Sequence, residues 1–279
     1  MPENDLAKTI RGRGASIMTR FSAREPAIFR TAEATDLLDI PARETYAVLG
    51  ALVRRGWIVR VRRGVYEVPP LWATRETGFT SDRFASLPVW LMEPYYIGFL
   101  SAFEVHGWLR QPVIGRVIIA TPRQFSLARI GGDTVTWVRE RSDRFAWGID
   151  RRWFGSASVP VSDPERTILD SLHLPRHAGG VIEVATVLAQ AWSDLDLDRF
   201  ATHAERLGIA AATRRLGVLL ETMDLSDGRA FANHLHSTLK RAGAPSPLDP
   251  SMPSGGEVDR RWGIEVNLDR EEIAGAGQT

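Results

Sequence analysis

The chain has 279 residues, 44% of them apolar, and no cysteine; it can bury a sizeable core, and disulfides, thiolate metal sites and cysteine catalysis are excluded. Formal charge is +1 overall, but residues 1–75 hold 13 Arg or Lys against 8 Asp or Glu, and the remainder holds 22 against 26, so a head at +5 precedes a body at −4. No run approaches the ~18 apolar residues of a membrane span, and the first twenty residues lack an apolar signal core, so the expectation is a cytoplasmic protein without membrane contact.

Residues 1–24, with Arg11, Arg13, Arg20 and Arg24, read either as a flexible basic arm or as a segment holding a short supporting helix. Thr31 is a plausible helix N-cap, Glu33 lies in the first turn, and Ala34, Leu37 and Leu38 follow at helical spacing until Asp39-Ile40-Pro41 interrupts. Pro41 suits the first position of a second helix, which places Thr45, Leu49, Leu52 and Val53 on one face and ends at Gly56. Two short strands then flank Arg62-Arg63-Gly64, from Trp57 to Val61 and from Val65 to Val68.

Helix, break, helix and arginine-tipped hairpin make the outline of a winged helix-turn-helix over residues 1–75. With the apolar face buried, the second helix presents Arg43, Glu44, Tyr46, Ala47 and Arg54. Recognition helices read bases mainly through their first turns, so Arg43, Tyr46 and Glu44 are the base-edge candidates, Glu44 as an acceptor for cytosine. Arg60, Arg62 and Arg63 are expected at phosphates or in the minor groove, where they add affinity and salt dependence more than sequence choice. The competing reading is a protein-interaction module with a solvated arginine turn.

Pro69-Pro70 closes the wing, Leu71 to Asp82 reads as a linker, and a second domain is expected over residues 83–245. Glu93-Pro94 is read as opening a buried helix with Tyr95, Tyr96, Phe99, Leu100 and Phe103. Strand-like runs follow at Arg116 to Thr121, Thr134 to Glu140, Phe145 to Phe154 and Ser158 to Val161. Ser162-Asp163-Pro164-Glu165 is a clear helix start. Further helical patterns cover Val181 to Trp192, Leu197 to Leu207, Ala210 to Met223 and Arg229 to Arg241. The fold class is therefore α+β, with a small sheet and a helical set behind the winged head. Residues 246–279 form a tail of unassigned role, with a strand expected at 262–267.

Three stretches, Tyr95 to Trp108, Val161 to Val184 and Thr213 to Met223, resemble the C-terminal domain of the AbiEi-type antitoxins, whose members also carry an N-terminal winged helix. The resemblance implies an autorepressor that binds its own promoter and counteracts a nucleotidyltransferase toxin without requiring a stable complex with it. Arg166 and Asp170 lie in the strongest of these stretches. At i, i+4 they also read as a helix ion pair of roughly 0.2–0.5 kcal/mol.

Asp163, Glu165, Asp170, His173 and His177 are the densest group of possible metal ligands, but capping and first-turn charge already explain Asp163 and Glu165, so no metal or cofactor is expected. His234 and His236, two apart on a helix, point away from each other. Glu257, Asp259 and Glu265 resemble the acids of restriction-like nucleases, but Asn267 stands where the lysine belongs, and no phosphate loop, serine elbow or HExxH motif supports an enzyme. The readings in order are an antitoxin and autorepressor with operator DNA and a toxin as partners, a stand-alone DNA-binding regulator whose body takes a ligand or partner, and a metal-dependent nuclease.

Overall fold

A computed structural model describes residues 12–24, 27–68, 83–85, 87–91, 94–123, 129–130, 133–154, 157–239 and 244–276; Arg11, Pro69-Pro70 and the expected linker Leu71 to Asp82 lie outside these residues. The chain divides into two units, the first made of residues 1–93, 127–135 and 152–159, the second of 94–126, 136–151 and 160–279.

The first unit begins with α1 (Arg13–Phe21), so the basic N-terminal segment does contain a supporting helix; its Ile17 and Phe21 are buried. β1 (Ile28–Arg30), α2 (Thr31–Leu38), α3 (Ala42–Arg54), β2 (Val59–Arg62) and β3 (Val65–Glu67) follow. The three strands form an antiparallel sheet in the order β1-β3-β2. Phe29 stacks on Phe21 with centroids 4.2 Å apart, and Ala34, Leu49, Leu52, Ile58 and Tyr66 complete the core. Thr31 is not the cap. Its N–H is taken by the Gly64 carbonyl at 2.9 Å, so the helix starts one residue earlier, with Arg30 at the N-cap and its N–H held by Glu33 at 2.8 Å. Leu37 is exposed, because α2 meets its neighbours through Ala34 and leaves that side in water. Asp39, in the left-handed region at φ 49°, ends the helix with a side chain that tolerates it.

A short helix, α4 (Leu87–Trp90), follows in the first unit, which also takes in residues 127–135 and 152–159. The body follows with β4 (Tyr96–Ile97), α5 (Phe99–Val105), β5 (Arg116–Thr121), β6 (Arg129–Ile130), β7 (Asp133–Arg139), β8 (Ile149–Phe154) and β9 (Ala157–Ser162), in a sheet ordered β6-β7-β5-β4-β9-β8. The helix expected from Glu93 is corrected here. Tyr96 and Ile97 pair with Ala120 and Ile119, and Ile97 also pairs with Val161, so the helix begins only after Gly98. Those strand partners are distant in sequence, and local periodicity does not register them.

Then come α6 (Pro164–His173), α7 (Val181–Ala191), α8 (Leu197–Leu207), α9 (Ala210–Thr222) and α10 (Gly228–Thr238). The tail supplies β10 (Ser246–Pro247), β11 (Glu257–Asp259), β12 (Ile264–Val266) and α11 (Arg270–Gly275). Trp262, Ile264, Val266 and Ile273 belong to the same core as Leu169, Leu188 and Leu216. The tail is thus a structural part of the body. Gly217 on α9 is what admits it: a Cβ there would lie 2.2 Å from the Trp262 indole. Arg215, buried beside it, donates to the carbonyls of Leu172 (2.7 Å) and Pro247 (3.1 Å), joining α6 to the tail. Asp249 caps the N-terminus of α7 by accepting from Val181 N–H at 2.9 Å.

Candidate nucleic-acid interface

The helical phase of α3 sorts its side chains by environment. Thr45, Leu49 and Leu52 are buried, while Arg43, Glu44, Ala47 and Arg54 are exposed and Tyr46 is 52% exposed. An exposed tyrosine on this face offers a flat ring and a hydroxyl to a partner such as a base or sugar surface. Gly56, at φ 74°, ends the helix with its N–H on the Val53 carbonyl, and Trp57 N–H reaches that of Leu52. The chain turns at once into the wing, where Arg60 and Arg63 are exposed and Gly64 takes φ 77°. The Arg62 backbone pairs with Val65; its side chain lies outside the described ones.

Two other arginines of the head, Arg24 and Arg13, have partners within it. Arg24 donates to Glu33 at 2.6 Å and lies over the Phe21 ring, so it braces α1 against α2. Burial alone would raise the Glu33 pKa, but the Arg24 and Arg30 hydrogen bonds hold it below the ordinary value. Arg13 pairs with Glu44 at 3.0 Å, both 54% exposed. A pair in water is worth at most about 1 kcal/mol, so Glu44 can exchange Arg13 for another donor. Nothing in the local sequence pairs residues 13 and 44; the contact exists because α1 crosses the start of α3.

The sequence also conceals Glu67. Its side chain is 2% exposed on β3, opposite Ile28 and Val59, and burial pushes its pKa up to about 7.

In the body, Arg166 and Asp170 form the expected helix ion pair, but not in isolation. Both are buried, and the 3.2 Å contact from Nε to Oδ2 is one link in a network. Arg166 Nη1 donates to the carbonyls of Trp147 (2.6 Å) and Arg144, Nη2 donates to Tyr96 Oη (3.0 Å), and Tyr96 donates to Asp170 Oδ2 at 2.8 Å. Burial, then the Asp170 charge, drives the Tyr96 pKa well up. The surface value does not apply to ions withdrawn from water.

The suspected carboxylate ligands each have their own partner. Asp163 caps α6 through Arg166 N–H and also accepts from His203 at 2.7 Å, while Glu165 binds Arg199 at 2.7 Å. In the tail, Glu265 accepts from the backbone of Gly256 and Asp259 from that of Trp262, which are turn-closing roles. Among the described residues no cluster of three His, Asp or Glu is arranged to hold a metal ion. None of the described helices is long and apolar enough to cross a membrane.

Residues 16–69, from within α1 to just past β3, match the model of a family described as "Transcriptional regulator, AbiEi antitoxin". Over these residues the winged head is similar to that family. The AbiEi match contains every candidate reader on α3 and the wing; it stops before the three body stretches on which the sequence resemblance also rests. Over most of its length the chain is similar to a solved structure, the crystal structure of the RV2827C protein from Mycobacterium tuberculosis. The TM-score is 0.70, 92% of each chain is covered and identity is 17%, a likeness of fold. No curated protein matches the chain.

Proposed function

We propose that this protein is an antitoxin and autorepressor whose AbiEi-type head binds operator DNA in its own promoter and whose body counteracts a nucleotidyltransferase toxin. The observation that carries the DNA half is the exposed row Arg43, Tyr46, Ala47 and Arg54 on α3, with the wing arginines Arg60 and Arg63 also in water. In this reading Arg43 and Tyr46 face base edges, Glu44 leaves Arg13 to accept from cytosine, and Arg60, Arg62 and Arg63 contact phosphates. Arg166 and Asp170 hold the body together; they are not contact residues. The toxin half rests on the family description and on the resemblance of the body stretches.

The test is a mobility shift of the full chain on its upstream DNA and on random duplex. Arg43→Ala should lose about 1–3 kcal/mol on the operator and much less on random DNA if Arg43 makes a bidentate base contact. Equal losses on both would remove it from base readout. Co-expression with the neighbouring reading frame, scored by growth, tests the toxin half.

A further inference from the structure

We infer that the body carries a phosphate-binding site at the N-terminus of α9, suited to the phosphoryl group of a small organic molecule. α9 is 13 residues long, its N-cap is Ile209 with no side-chain cap, and no acidic residue occupies its first turn. Ala212 N–H turns back to the Ile209 carbonyl, while the N–H groups of Ala210 and Ala211 have no acceptor among the described residues. Uncapped amides at a helix start bind anions, since they point outward along the positive end of the dipole.

Arg214 supplies the independent observation. It is 7% exposed, yet it makes no hydrogen bond or ion pair among the described residues, whereas its neighbour Arg215 is committed to the Leu172 and Pro247 carbonyls. The Arg214 guanidinium thus has no acceptor among the described residues. Its nitrogens are not among the sealed, unpartnered atoms, so they reach solvent, and Arg214 lines a cleft of about 420 Å³ together with Ala210, Thr213 and Gly208. Thr213, 4% exposed, likewise has no partner for its hydroxyl. Ala210 with its unpartnered amide, Thr213 with its hydroxyl and Arg214 with its guanidinium thus line one space, a donor set that a phosphoryl group takes. Ile209 and Leu239 form an apolar wall for the organic part, and the volume suits a small ligand. Glu205 also lines the cleft; being exposed, its charge is screened by water and weakens the site without abolishing it.

The experiment is calorimetric titration of the full chain with inorganic phosphate, sulfate and a set of nucleoside 5′-monophosphates, with thermal melts to verify folding. Phosphate binding is expected, tighter for the organic phosphates if the apolar wall is used; equal affinity for inorganic phosphate names the free ion as ligand of the same site. Arg214→Lys and Thr213→Val should each weaken binding by about tenfold. Ala210→Pro should also weaken it, because proline is tolerated at this first helical position and removes only the amide donor. Glu205→Gln should tighten it. Absence of binding by the folded wild type, or affinities unmoved by Ala210→Pro and Glu205→Gln, would overturn the site.

Discussion

Glu67→Gln should stabilise the winged head at alkaline pH and leave it unchanged in acid. The carboxyl is 2% exposed, and burial alone raises its pKa from 4.5 to about 7. In the unfolded chain it ionises near 4.5, so between that pH and 7 the folded head holds a proton that the unfolded chain has released. A raised carboxylate pKa therefore gives stability that is fully present below 4.5 and is lost as pH rises through 7. At ~1.4 kcal/mol per pKa unit the loss is on the order of 3 kcal/mol. Glutamine has the same shape and cannot ionise, although its buried amide still lacks partners, so the expected gain at pH 8 is about 1–3 kcal/mol. Hydrogen exchange of the full chain, read at the β1 and β3 amides and corrected for intrinsic rates, reports on the head separately from the body. Wild type should lose protection between pH 5 and 8 and the variant should not. Parallel pH profiles, or a variant less protected than wild type at pH 8, would refute the assignment of a buried, neutral carboxyl.

Removing the wing arginines together, Arg62→Ala with Arg63→Ala, should weaken binding to all DNA alike and flatten the plot of log affinity against log salt by about 0.9 per lost phosphate contact; an unchanged slope counts against the wing. Arg166→Met should cost about 3–5 kcal/mol in urea unfolding, since it leaves the buried Asp170 carboxylate uncompensated, and adding Asp170→Leu should recover most of it. If the double variant is no better than the single one, the carbonyl bonds to Trp147 and Arg144 carry the stability instead. Gly217→Ala sets two effects against each other: alanine favours the helix by about 1 kcal/mol, but its Cβ would lie 2.2 Å from the Trp262 ring. The clash should prevail, with a net loss of about 1–3 kcal/mol and a lower melting temperature. A stabilised Gly217→Ala protein would show that the tail is not seated as described.

The head was largely legible because its determinants are local. The phase of Thr45, Leu49 and Leu52 sets which face of α3 is buried, and with it the exposure of Arg43 and Tyr46; Gly56 and Gly64 mark the helix end and the wing turn by their backbone freedom alone. The helix start at Asp163-Pro164 was legible for the same reason, since a cap acts within three residues. What lay outside local pattern was misread or unseen. Tyr96 and Ile97 form a strand because partners at residues 119, 120 and 161 claim their backbone.

The sequence by itself determined the main elements of the head, its positive charge and the face of α3 that stays exposed, because helix period, capping and turn chemistry act over a few residues. Tertiary structure alone decided the fate of the polar groups. It turned Arg166 and Asp170 from a helix ion pair into the centre of a buried network, enclosed Glu67, drew the tail into the core over Gly217, and left Arg214 without a partner among the described residues beside Arg215, which has three carbonyl acceptors. Burial and long-range contact set the energy of a charge, and neither is a property of the residue or of its neighbours in sequence.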